Sequence, residues 1–303
     1  MRFNETSIRW SQSGDEWKFT SCHGRQRPIL YRHTGLYAEV SPNGTLRELG
    51  RFGQPSDVDG HVIAVSDGIV TDLCCGLQLH GPNGISGGIS GYLRNGVSYR
   101  LLPSVGRYVV CRFDANGLER KTRLVDASFI HPIGNLLAAC SETEACVFDA
   151  ETMSELASCP GGEFRAGDGW LLVAYEGGAG EVWISRIPAT ESPKGPYASP
   201  FRDAAVVGKR MIVSSGDLIT DTSGRWKDSC TGGVAVFSDD GHEFVAYPQA
   251  KTVVIRHVDS GTVVWRQQTP FMVDTVRVSD QGYYVFDRFN GGAAYYAAVH
   301  GLA

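Results

Sequence analysis

Helical signal is what this 303-residue sequence has least of. No long window keeps an apolar stripe at i, i+3, i+4 and i+7 without a glycine or proline breaking it. The best candidate, Glu151 to Ser158, reaches two turns at most. That excludes helical bundles and alternating α/β folds. No run of 18 apolar residues occurs either, which excludes a membrane-spanning helix. The opening residues, Met1-Arg-Phe-Asn-Glu-Thr6, contain no apolar stretch of the kind a secretory signal needs. Lysine is scarce, 6 against 22 arginines, a bias that reads as the genome composition of a bacterium. No dominant basic stripe exists. Net charge is −5, and the densest basic cluster, Arg120, Lys121 and Arg123, is small and reads as a solvated strand face. The expectation is a cytoplasmic chain that binds neither nucleic acid nor membrane.

Metal and redox motifs are missing as well. The eight cysteines form no C-x-x-C pair, and the eight histidines form no H-x-H or H-x-x-x-H. Cys111, Cys140 and Cys146 lie inside apolar strand-like runs, where a reduced thiol acts as a small hydrophobe. No metal site and no cofactor is expected. Gly84-Ile-Ser-Gly-Gly88 matches G-x-S-x-G, but a nucleophile elbow needs a helix after its serine. Here Ile89-Ser-Gly-Tyr follows, so Ser86 is not read as a nucleophile. The acidic pairs Asp239-Asp240 and Asp57-Val-Asp59 fall in expected turns, where aspartate is common for backbone reasons. No catalytic residue is assigned.

What is present is a succession of short runs rich in Val, Ile, Tyr, Phe and Trp, each closed by Gly, Asp, Asn or Ser. Such runs at regular spacing indicate a sandwich, barrel or propeller. Internal similarity narrows the choice. Val234–Trp265 and Ala127–Leu156 share one grammar of strand, Gly turn, strand, loop, strand, Asp turn, strand. Aligning Gly134 with Gly241 puts Ile130 on Phe237, Leu137 on Phe244 and Ala139 on Ala246, and, after three inserted residues, Asp149 on Asp259. Gly turns at 68, 106, 134, 169, 208, 241 and 282 have a mean step of (282 − 68)/6, about 36 residues. That is the size of one four-stranded blade.

Phe237-Ser-Asp-Asp-Gly241 and Val258-Asp-Ser-Gly-Thr262 resemble the first and last turns of WD40-like or YVTN-like β-propeller repeats. The Gly-His and Trp-Asp pairs that mark true WD40 repeats are missing (Gly241-His242 occurs, but in the wrong turn of the unit), so the resemblance implies architecture and no particular activity. The expectation is an all-β chain, residues 1–303 forming a single β-propeller domain. Seven four-stranded blades are favoured and eight are the alternative, depending on whether the strand candidates in 16–50 make a blade of their own. The last blade lacks a fourth strand, and the N-terminal Ser7-Ile-Arg-Trp10 is the candidate to supply it and close the ring.

The most unusual stretch is Pro188 to Arg202, with four of the thirteen prolines. It reads as a long surface loop, because proline removes ladder donors. As a functional element it would contact a partner through Tyr197 and Phe201, flanked by Pro196 and Arg202. The reading that follows is a non-enzymatic protein-binding module: an adaptor, an assembly factor or a toxin-neutralising protein. The alternative is a propeller enzyme or small-ligand binder acting on a sugar or lactone at the channel mouth. It would require carboxylates, histidines or arginines from different blades to converge there.

Overall fold

The computed structural model describes residues 3–6, 18–21, 29–32, 34–40, 45–51, 55–58, 61–66, 69–72, 78–80, 90–94, 97–113, 119–167, 170–178, 180, 181–187, 192–279, 282–287 and 292–298. Among them every regular element is a strand, and no helix is long and apolar enough to cross a membrane. The strands form eight four-stranded antiparallel sheets, each strand beside the next in sequence. The sheets span 18–51, 55–80, 90–121, 129–160, 163–198, 201–229 and 235–268, with 275–298 completed by Phe3–Thr6. Successive sheets begin 34 to 40 residues apart, the spacing read from the glycine turns.

The count is eight, the alternative, because the candidates in 16–50 pair with one another and form a complete sheet. Strand exchange at the terminus also occurs, but with different residues. Phe3–Thr6 lies antiparallel to Gly292–Ala298, with Phe3 opposite Ala298 and Thr6 opposite Tyr295. Ser7–Trp10 lies outside the described residues. So do Gly68 and Gly169. Gly106 joins the second and third strands of its sheet, whereas Gly134, Gly208 and Gly241 join the first and second.

Turn chemistry explains the hairpins. Asp239 pairs with His242, so the intervening turn has two residues, Asp240 at φ 48° and Gly241 at φ 72°. Two positive φ values match the twist of the flanking strands, and Asp-Gly is a favoured pair for it. The last turn of the repeat is built differently. Asp149 ends a third strand and its Oδ1 accepts the N–H groups of Glu151 (3.1 Å) and Thr152 (2.7 Å). Asp221 does the same for Ser223 (2.9 Å). In the 235–268 sheet the position belongs to His257, whose Nδ1 accepts from Asp259 (3.1 Å) and Ser260 (3.2 Å). The sequence alignment of Asp149 with Asp259 is therefore two residues out. Asp259 pairs instead with Arg210 of the preceding sheet.

Contacts divide the chain into two compact units, 1–49 with 178–182 and 196–303, and 50–177 with 183–195. In the first, the 201–229 and 235–268 sheets meet through Ile212, Ile219, Val236, Val245, Tyr247 and Val254. The 235–268 and 275–298 sheets meet through Phe237, Phe244, Ile255, Val276, Val285 and Tyr296. Four buried tyrosines stiffen the last sheet, Tyr283 on Tyr296 at 4.9 Å and Tyr284 on Tyr295 at 4.4 Å. Each such pair adds about 1 kcal/mol beyond its area. In the second unit, Leu101, Val110, Ile130, Leu137 and Phe148 join the 90–121 and 129–160 sheets. Leu171 and Val173 continue that core from Ala138 and Val147.

Candidate interaction surface

The proline-rich stretch is not a long loop throughout. Lys194–Ala198 is the outer strand of the 163–198 sheet. Pro196 is tolerated there because an edge strand needs only half of its N–H groups for pairing. A cis Ser199-Pro200 bond then turns the chain into the next sheet, which begins at Phe201. Of the four residues read as contacts, Pro196 is exposed, Tyr197 half-buried and Arg202 about one-third exposed. Phe201 is 9% exposed: it is the first residue of an inner strand, and its ring belongs to the core. Its role as a surface anchor is corrected on that ground. Burial also pushes the Tyr197 phenol above its ordinary pKa.

The corner is fastened by hydrogen bonds from the hairpin Ser215–Leu218. The Gly216 N–H donates to the Pro200 carbonyl at 2.8 Å, and the Ser215 hydroxyl donates to the Ala198 carbonyl. The Ser199 N–H donates to the Gly180 carbonyl at 3.1 Å. Arg202 reaches over with Nε to the Gly216 carbonyl (2.5 Å) and Nη2 to Asp217 (3.3 Å). The result is a hydrogen-bonded corner whose exposed residues include Pro196, Ala198, Pro200 and Leu218, the last 48% exposed, bordered by the Arg202–Asp217 pair. Leu218 and Asp217 carry no signal of this in the sequence. They come from the following sheet and join the surface only through strand pairing.

An ionic contact links the first strands of two sheets in the same unit. Asp203 and Arg277, from the 201–229 and 275–298 sheets, approach to 3.9 Å. Yet the Asp203 carboxylate already accepts N–H groups from Ala204 (3.0 Å) and Val234 (2.9 Å). It fastens the connection into the 235–268 sheet, so its chemistry is committed to the backbone.

Histidines the sequence places singly meet in one pair, His242 and His257, with ring centroids 5.0 Å apart. Nδ1 of His257 is an acceptor for two N–H groups, which puts its proton on Nε2 and leaves no lone pair there for a metal. Among the described residues no three His, Cys, Asp or Glu side chains could hold a metal ion. Ser86, Cys74, Cys75 and Asp59 lie outside the described residues. Asp240 is a hairpin residue with positive φ. Cys111, Cys140, Cys146, Cys159 and Cys230 are free, and burial pushes each thiol up, Cys146 to about 12. Arg123 pairs with Glu155 and Glu144, and Arg107 with Glu144, so much of the basic cluster is neutralised from within.

No protein-family model and no curated protein matches the sequence. Solved structures do. The computationally designed protein Ika8 has a TM-score of 0.63 at 12% identity, over 96% of this chain and 98% of its own. BamB from Moraxella catarrhalis has 0.56 at 12%, over 98% and 100%. Sqt1 from Saccharomyces cerevisiae has 0.60 at 11%, over 97% and 99%. With eight four-stranded antiparallel sheets, these likenesses define the class: the chain is an all-β propeller. At such identities they show the fold alone.

Proposed function

We propose that this propeller is a non-enzymatic protein-binding module, an adaptor or assembly factor, acting in a reducing compartment such as the cytosol. The observation that carries the reading is the fastened corner at 196–202. Its polar backbone is occupied internally, so its outward apolar atoms are held in place before any partner arrives. Preorganisation of that kind lowers the entropic cost of association. The free cysteines among the described residues, all but Cys159 buried, suit a reducing compartment.

Deleting the segment would remove an outer strand and confound binding with folding. The test is the double variant Ala198→Glu and Leu218→Glu, both at exposed positions. Tagged wild-type protein expressed in its own cell is expected to recover one stoichiometric partner, and the variant to lose it at unchanged Tm. Equal recovery by the variant would sink the proposal, and so would the absence of any stoichiometric partner.

A further inference from the structure

Charge is distributed very unevenly along this acidic chain. Residues 90–124 hold seven basic side chains and two acidic ones, a net of +5 where the whole chain carries −5. From Asp72 to Asp114 no acidic residue intervenes. Most of the described bases have partners. Arg107 and Arg123 are paired with glutamates, Arg100 is buried in its sheet, and Lys121 stands opposite Cys111.

Arg112 is different. It lies in Arg107–Phe113 directly opposite Arg120 of Glu119–Lys121, so the two side chains leave the same face of the ladder. Like charges directly opposite each other destabilise a strand pair. Arg112 is half-buried, and its Nε is buried with no hydrogen-bond partner. No carboxylate among the described residues lies within ion-pair reach of it. Arg120 donates Nη1 to the Glu151 carbonyl (2.8 Å), which fixes its direction. Asp149 feels Arg120 electrostatically, but its carboxylate is already engaged by Thr152 and the Glu151 N–H. Tyr99, on the same cross-strand line, is tied down through its hydroxyl to the Ala150 carbonyl (2.8 Å). Two arginines thus leave one face of the ladder, and among the described residues no carboxylate forms an ion pair with either.

We infer that Arg112 and Arg120 form a binding site for one oxyanion group, a phosphate or carboxylate on a ligand. Guanidinium is the side chain suited to such a role, since its planar fork matches both anions. A bound oxyanion would convert a repulsive pair into an attractive one. The flanking arginines are neutralised by Glu144 and Glu155, so the site takes a single group rather than a polyanion track. It is independent of the corner at 196–202.

The test compares Tm in inorganic phosphate, in acetate and in chloride at equal ionic strength and pH 7. Phosphate or acetate is expected to raise the wild-type Tm above chloride by several degrees, as for any ligand of the native state. The larger rise identifies the preferred oxyanion. Arg112→Gln and Arg120→Gln are expected to lose that rise, while Arg266→Gln, at an exposed position of another sheet, keeps it. In chloride, Arg112→Gln should be no less stable than wild type, because the repulsive contact has gone. The inference fails if neither anion raises Tm, if Arg112→Gln retains the rise, or if Arg112→Gln is clearly destabilised in chloride.

Discussion

Gly232→Ala is expected to destabilise the protein by about 3 kcal/mol, near the upper end of overpacking effects. The reason is contact with backbone, not φ. A Cβ at Gly232 would stand 1.9 Å from the Asp274 carbonyl oxygen and 2.5 Å from its carbon. That carbonyl also accepts the Gly233 N–H at 2.8 Å, and the Thr231 hydroxyl donates to the neighbouring Val273 carbonyl at 3.3 Å. Room for a methyl group therefore requires breaking the connection between two adjacent sheets. Gly224→Ala is the control. Gly224 has φ 75° with nothing within 4 Å of a Cβ, so only the left-handed backbone is penalised, at about 1–2 kcal/mol. Chemical denaturation of both variants checks the order. Equal losses would mean that the Gly232 contact relaxes.

Local signals were legible in the sequence, and signals that depend on register were not. Strand runs, hairpin turns and the repeat length all follow from neighbouring residues, and the structure has them. The alignment of Gly134 on Gly241 shows where this stops. Ile133 pairs with Leu136 and Asp239 with His242, so Gly134 takes the first turn position and Gly241 the second. The alignment is one residue out, and strand periodicity turns one residue into the opposite face. Ile130 and Leu137 pack toward the preceding sheet, while Phe237 and Phe244, set beside them, pack toward the following one. Ile130 corresponds to Val236, which does face the preceding sheet. Phe201 was misread for a related reason. Its prolines and polar neighbours look like loop, but strand pairing resumes at Phe201, opposite Ser215. Leu218, Asp217 and the Arg112–Arg120 opposition depend on strand pairing, which no spacing in the sequence encodes.

Arg256→Leu is expected to cost about 3 kcal/mol at pH 7, as when one partner of a largely buried ion pair is removed. Arg256 binds three groups across two sheets. Nη2 meets Asp228, Nε donates to the Tyr247 hydroxyl at 3.0 Å, and Nη1 donates to the Gly261 carbonyl. The guanidinium carbon stands 5.1 Å from the Trp226 ring centre, and Trp226 in turn donates Nε1 to the Val258 carbonyl at 3.1 Å. Leucine would leave Asp228, only 21% exposed, without its cation. The pH dependence follows from Asp228. Burial pushes its pKa up, but hydrogen bonds from Tyr247, the Ser229 N–H and Arg256 outweigh that, and the net shift is downward. A carboxyl depressed in the folded state contributes stability above its unfolded pKa, about 3.9, and loses it as pH falls through the folded value. The gap between wild type and Arg256→Leu should thus be full at pH 7 and narrow as pH falls toward 3. Thermal unfolding of both proteins across that range measures it. A gap of constant size would mean that Arg256 acts through packing on Trp226 rather than through the Asp228 charge.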